Sequence, residues 1–152
     1  MLVEGSKLAK SDLLNNQKRR DIYEYIIKNP GMYFNRIVHE LNYSNHIVVW
    51  QLSILLKFDC IHKETIENHE IYFDVSKEHK EIIANYFTSK EKSKKIIHFL
   101  EKDNIGVTKT NLSHKLNMHM NTLDKYLNLL EKYDVIVKKK IDNRNLYFLK
   151  ET

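Results

Sequence analysis

The sequence predicts a mostly α-helical chain with small β-hairpins, built as two copies of one unit with a helical segment between them. Three observations predict it. Gly (3) and Pro (1) are scarce in 152 residues, too few turn-formers for an all-β sandwich or a glycine-rich phosphate-binding fold. Hydrophobic residues make up 42% and aromatic residues 11%, enough to bury a core and to argue against disorder. The chain also repeats itself. Gly31 falls on Gly106, His39 on His114, Leu41 on Leu116 and Asn42 on Asn117. Further on, Leu52, Leu55, Asp59 and Ile61 fall on Leu127, Leu130, Asp134 and Ile136, and Tyr72-Phe73 on Tyr147-Phe148. The offset holds without a gap over 31–73. Before Gly31 it slips by one, where Asn29-Pro30 gives way to Asp103-Asn104-Ile105. A length near 150 allows one ordinary domain or two small ones, and the repeat decides for two of roughly 55–60 residues.

Each element of the first unit has a local cause. Ile22, Tyr25 and Ile26 recur at helical spacing, and Asn29-Pro30-Gly31 ends that helix. Ser11 or Asp12 is placed to cap an extra turn through Leu13-Leu14 that runs into it. A short helix follows at about 35–41, with Ile37, Val38 and Leu41 inward. Asn42-Tyr43-Ser44 makes a tight turn, and Ser44 is a good N-cap. The third helix covers about 45–58, with Val48, Leu52 and Leu55 as its buried stripe. Alternating runs at about 60–65 and 70–73 predict two strands around a turn at Glu67-Asn68-His69. Cys60 reads as a half-buried strand residue.

The second unit repeats this order. Its helices fall at about 92–102, 109–116 and 121–133, with Leu123, Leu127 and Leu130 as the stripe. Its strands fall at about 135–141 and 146–149, with Asp142-Asn143 at the turn. Between the units, Ser76 is placed to cap a helix at about 77–87. Thr88-Ser89 breaks that helix, and Thr88-x-x-Glu91 fits a capping box for the next. The linker is thus expected to be ordered and to fix the units relative to each other. The predicted organisation is an N-terminal extension at 1–18, a first domain at 19–75, a linker at 76–90 and a second domain at 91–152.

A helix, two helices joined by a short turn and a trailing hairpin describe a winged helix-turn-helix. The segment Asn29-Pro30-Gly31-Met32-Tyr33-Phe34-Asn35-Arg36-Ile37-Val38-His39-Glu40-Leu41-Asn42-Tyr43-Ser44, followed by Val48, Leu52 and Leu55, resembles the winged-helix regulators of the ArsR and MarR kind. Two such units in tandem resemble archaeal regulators with two winged-helix domains. The resemblance covers nearly the whole chain after residue 18. It implies a DNA-binding transcriptional regulator whose third helix reads the major groove of double-stranded DNA and whose hairpin wing touches phosphate. The faces the helices would present carry Asn45, His46, Val49, Trp50 and Ser53 in the first unit, and Asn121, Asp124, Lys125 and Asn128 in the second. Asn suits adenine, and apolar groups suit the thymine methyl.

The charge of +5 divides unevenly between the copies. Residues 19–74 hold six basic and eight acidic side chains, and residues 93–152 hold twelve and seven. A background rich in Lys would raise both copies alike. The second wing concentrates the surplus in Lys138, Lys139, Lys140 and Arg144, which suits phosphate. The first wing, with Lys63 among Glu64, Glu67 and Glu70, does not.

An alternative reading is a protein-interaction subunit of a larger assembly, of the endosomal-sorting or polymerase-associated kind, without direct DNA reading. Its support is the acidic first unit and the apolar run Ile47-Val48-Val49-Trp50, of which a helix needs only about half inward. Val49 and Trp50 would then anchor a protein partner. Packing of Trp50 within the chain is a third account. Most winged-helix regulators dimerise to read palindromes, which favours a homodimer, although a tandem chain already carries two reading heads and could mimic a dimer as a monomer.

No chemistry beyond binding is indicated. No His-x-x-x-His spacing or His with Cys at ligand spacing occurs, so no metal or other cofactor is expected. No nucleophile constellation, Gly-rich loop or paired-carboxylate motif points to an enzyme. One cysteine, no signal-peptide pattern and no long apolar run lead to the expectation of a cytoplasmic protein with no membrane span.

Overall fold

The computed structural model describes residues 11–151. The chain divides into two compact units between Tyr86 and Phe87. The first unit contains α1 (Gln17–Lys28), β1 (Met32–Tyr33), α2 (Phe34–Leu41), α3 (Asn45–Lys57), β2 (His62–Ile66) and β3 (His69–Phe73). The division falls inside α4 (His79–Ser89). The second unit contains α5 (Glu91–Glu101), α6 (Lys109–Leu116), α7 (Met120–Lys132), β4 (Ile136–Ile141) and β5 (Arg144–Leu149). The result is mixed α/β, largely helical, with small antiparallel sheets of the kind a winged helix carries. No helix among the described residues is long and apolar enough to cross a membrane.

In the first unit Ile22, Ile26, Ile37, Val48, Leu52 and Leu55 form the core with Met32, Cys60, Ile61 and Tyr72. Each buried aliphatic side chain contributes about 1.5–3 kcal/mol. The sheet has the order β1-β3-β2, so a third, two-residue strand joins the expected hairpin. Met32 pairs with Tyr72 and Tyr33 with Ile71, because Gly31 at φ +94° turns the chain onto the sheet edge. In the second unit Ile96, Leu100, Leu112, Leu123, Leu127, Leu130, Ile136 and Tyr147 are buried. There β1 has shrunk to a single bridge between Val107 and Tyr147.

The left-handed residues mark where each unit turns. Asn42 ends α2 and Asp59 follows α3, while Glu67 and Asn68 both take positive φ at the hairpin tip. A two-residue hairpin turn of the favoured twist needs positive φ at both positions, so His69 lies in the strand and not in the turn. Positions 75 residues on repeat the pattern: Asn117, Asp134, Asp142 and Asn143 all have positive φ, as does Gly106.

Several expected caps are absent. The helical residues 11–13 do not run into α1. Asn16 interrupts them and caps α1 by accepting from the Arg19 amide. The rest of the expected 1–18 extension, residues 1–10, lies outside the described residues. Ser44 occupies the N-cap of α3 without a capping bond, and its hydroxyl lies 3.5 Å from His46 Nδ1. Ser76 donates to the Asp74 carboxylate, and α4 begins only at His79. The capping box also fails. Helix α4 continues through Ser89, α5 begins at Glu91, and the buried Ser93 hydroxyl donates to the Phe87 carbonyl at 2.9 Å across the break. Cys60 is buried, 4% exposed, and precedes β2 instead of lying in it.

Candidate nucleic-acid interface

Helix α3 presents two faces. Val48, Leu52 and Leu55 are buried, as is Gln51, whose side-chain oxygen accepts from Arg19 Nε at 2.8 Å. Arg19 also donates to the Leu13 carbonyl at 2.9 Å, so one guanidinium ties the residues before α1 to the interior side of α3. Asn45, His46, Val49, Trp50 and Ser53 are all exposed on the opposite side. The Ser53 hydroxyl is turned back to the Trp50 carbonyl at 2.6 Å. Val49 is 55% exposed and Trp50 63%, so Trp50 does not pack into the core of the first unit.

Beside this face the first hairpin closes an open groove of about 480 Å³. Val49, Ser53 and Leu56 line one side, and Lys63, His69 and Glu70 the other. Lys63, the one Lys or Arg of this hairpin, is neutralised by Glu70 at 2.9 Å. That ammonium is the main reason the Glu70 carboxyl is held below the usual carboxylate range, with Tyr72 adding a hydrogen bond at 3.2 Å. Glu64 is paired with His79 at 2.8 Å. The first wing therefore offers phosphate no uncompensated Lys or Arg.

The second unit is built otherwise. Asn121, Lys125 and Asn128 are exposed on α7. Asp124 is set apart from them, since it is half-buried and ion-paired to Lys109 at the start of α6. Strand β4 is buried at Ile136 and exposed from Lys138 to Ile141, so the hairpin projects beyond the core. Lys138, Lys139, Lys140 and Arg144 are exposed and form no ion pair among the described residues.

The pairing register splits these cations between two faces. Lys138 lies opposite Tyr147 and Lys140 opposite Asn145, so these four share one face. Lys139 lies on the other, opposite Leu146, with its ammonium 5.2 Å from the Phe148 ring. Arg144 lies opposite Ile141 on the Lys139 side, at the tip. Asn145, Tyr147 and Arg144 line an open pocket with Thr108, Lys109 and Thr110. Thr108 caps α6 by accepting from the Asn111 amide. Lys109 and Thr110 escaped the sequence reading. Their signal is a capping Thr followed by Lys opposite a hairpin, and it needs the hairpin register to be seen. Among the described residues no group of three or more His, Cys, Asp and Glu is placed to hold a metal.

No family model matches the chain. The chain is similar to an uncharacterised HTH-type transcriptional regulator of Methanocaldococcus jannaschii. Identity is 28% over 145 residues, which is 95% of this chain and 36% of that relative. The chain thus spans about a third of the length of the curated relative it matches.

Proposed function

We propose that the chain is a DNA-binding transcriptional regulator made of two tandem winged-helix domains of the ArsR/MarR kind, at about 19–75 and 91–152. Helices α3 and α7 enter the major groove, and the second wing lies on phosphate. The observation that carries this reading is the set of four exposed, unpaired cations on the second hairpin, beside a recognition helix with an open polar face. The likeness to the HTH-type regulator of Methanocaldococcus supports it, as does the helix-turn-helix order of each unit. Repression or activation would act by occlusion or recruitment at a promoter. The proposal includes no catalytic step and no cofactor.

Fluorescence anisotropy with labelled duplex DNA tests the reading. Binding should weaken with salt at a log–log slope of roughly −0.9 per phosphate contacted. A salt-independent or undetectable signal at low ionic strength would refute it. The exposure of Val49 and Trp50 supports a second reading, in which the first unit holds a protein partner and only the second holds DNA.

A further inference from the structure

The two reading faces share a chemical bias. In the major groove, guanine is recognised chiefly by arginine, less often by lysine, and cytosine by a carboxylate. Neither α3 nor α7 contains an arginine. Helix α3 has no carboxylate, and the carboxylate at the centre of α7, Asp124, is occupied by Lys109. Lys125 is the one Lys or Arg among the named face residues, with Lys57 and Lys132 exposed at the last position of α3 and α7, and a lysine point charge serves phosphate as well as a base.

What the faces do carry matches A·T. Asn45, Asn121 and Asn128 are exposed, and no hydrogen bond engages their side-chain amides among the described residues. An asparagine amide can pair with N6 and N7 of adenine. Beside them stand exposed apolar groups: Val49, Trp50 and, at 37% exposed, Met120. The thymine methyl is the one apolar group that a base pair offers in the major groove. An apolar pair on a reading helix therefore has a single kind of complementary partner on a duplex.

Resting on the DNA-binding reading above, we infer that the chain selects A·T base pairs where its helices touch bases, and that Val49 and Trp50 read thymine methyl groups. Selection from a random-sequence duplex library with the full chain tests this, followed by anisotropy on the selected site. The retained duplexes should be enriched in A·T runs over the starting library. Replacing thymine by deoxyuridine removes only the methyl. It should weaken binding about four-fold for each methyl buried against Val49 or Trp50. Trp50→Ala and Trp50→Phe, both at an exposed position and checked for folding by circular dichroism, should differ: the alanine variant loses the part of the thymine-over-uracil preference that Trp50 supplies, leaving that of Val49, and the phenylalanine variant keeps more of it. Enrichment of G·C, or equal binding of thymine and uracil duplexes, overturns the inference while leaving DNA binding intact. An unchanged preference in Trp50→Ala also overturns it. Retention of no duplex at all refutes the DNA-binding reading and this inference with it.

Discussion

Lys109, the first residue of α6, is ion-paired with Asp124 near the middle of α7. The pair spans the two helices of the turn motif and turns a carboxylate away from a face that would meet a polyanion. Its hydrogen bond to Asp124 raises the Lys109 pKa. A raised lysine pKa stabilises the fold below the ordinary lysine value and loses that effect as pH rises through the folded value, so neutral pH lies on the plateau. Both side chains are more than a third exposed, which limits the contribution to about 1 kcal/mol or less.

On the DNA-binding reading, the pair acts through its charge. Lys109→Ala should weaken DNA binding by freeing the Asp124 carboxylate, Asp124→Asn should leave binding equal or tighter, and the double variant should recover most of the loss. Anisotropy at one salt concentration decides. If the double variant is as weak as Lys109→Ala, then Lys109 acts through its own phosphate contact.

The two glycines at φ near +90° should differ in tolerance. A Cβ on Gly31 would stand 2.4 Å from the Ile82 carbonyl oxygen, which is backbone of α4. A Cβ on Gly106 would stand 2.4 Å from the Phe148 ring, a side chain that can swing. Both alanine variants carry backbone strain of about 1–3 kcal/mol. Gly31→Ala should lower the melting temperature more. Phe148→Leu should partly rescue Gly106→Ala, and no single side-chain change offers the same relief for Gly31→Ala. Thermal denaturation followed by circular dichroism measures this, and equal losses with no rescue would contradict it.

Acid should destabilise the first unit. The Tyr43 hydroxyl, and then the Gln17 amide, hold the Asp21 carboxyl below its ordinary value, and Lys63 does the same for Glu70. A carboxylate with a lowered folded pKa stabilises the fold above its unfolded value and loses that effect as pH falls through the folded one. Stability should be flat near neutrality and fall below about pH 4. The Tyr43→Phe/Glu70→Gln double variant should show a shallower fall in urea midpoints. An unchanged acid limb would place the pH dependence elsewhere.

Much of the fold was legible because its signals are local. The stripe Leu123, Leu127 and Leu130 set α7 to within one residue, and the offset of 75 from the first unit set α6 to the residue. The failures arise where a side chain had a choice. Ser76 donates to Asp74 and Ser93 to the Phe87 carbonyl, so neither α4 nor α5 starts at the expected cap. A two-residue strand such as β1 is too short to show alternation, and only its pairing with β3 reveals it. In the candidate interface, exposure of the wing cations followed from composition. Their division into Lys138 with Lys140 against Lys139 with Arg144 depends on which residues pair across the hairpin. The capture of Asp124 by a residue fifteen positions earlier depends on the angle between two helices.

Whether the second wing lies on DNA can be read through the hairpin register. Lys138 and Lys140 share the hairpin face with Asn145 and Tyr147, which line the pocket against Lys109, while Lys139 lies on the other face near Phe148. The decisive measurement is the salt dependence of duplex binding for the wild type, Lys138→Ala/Lys140→Ala and Lys139→Ala. The double variant should lose affinity, with a log–log slope shallower by about 1.8, two phosphate contacts' worth, and Lys139→Ala should stay much nearer the wild type. Wild-type affinity and slope in the double variant would show that the second wing does not lie on DNA.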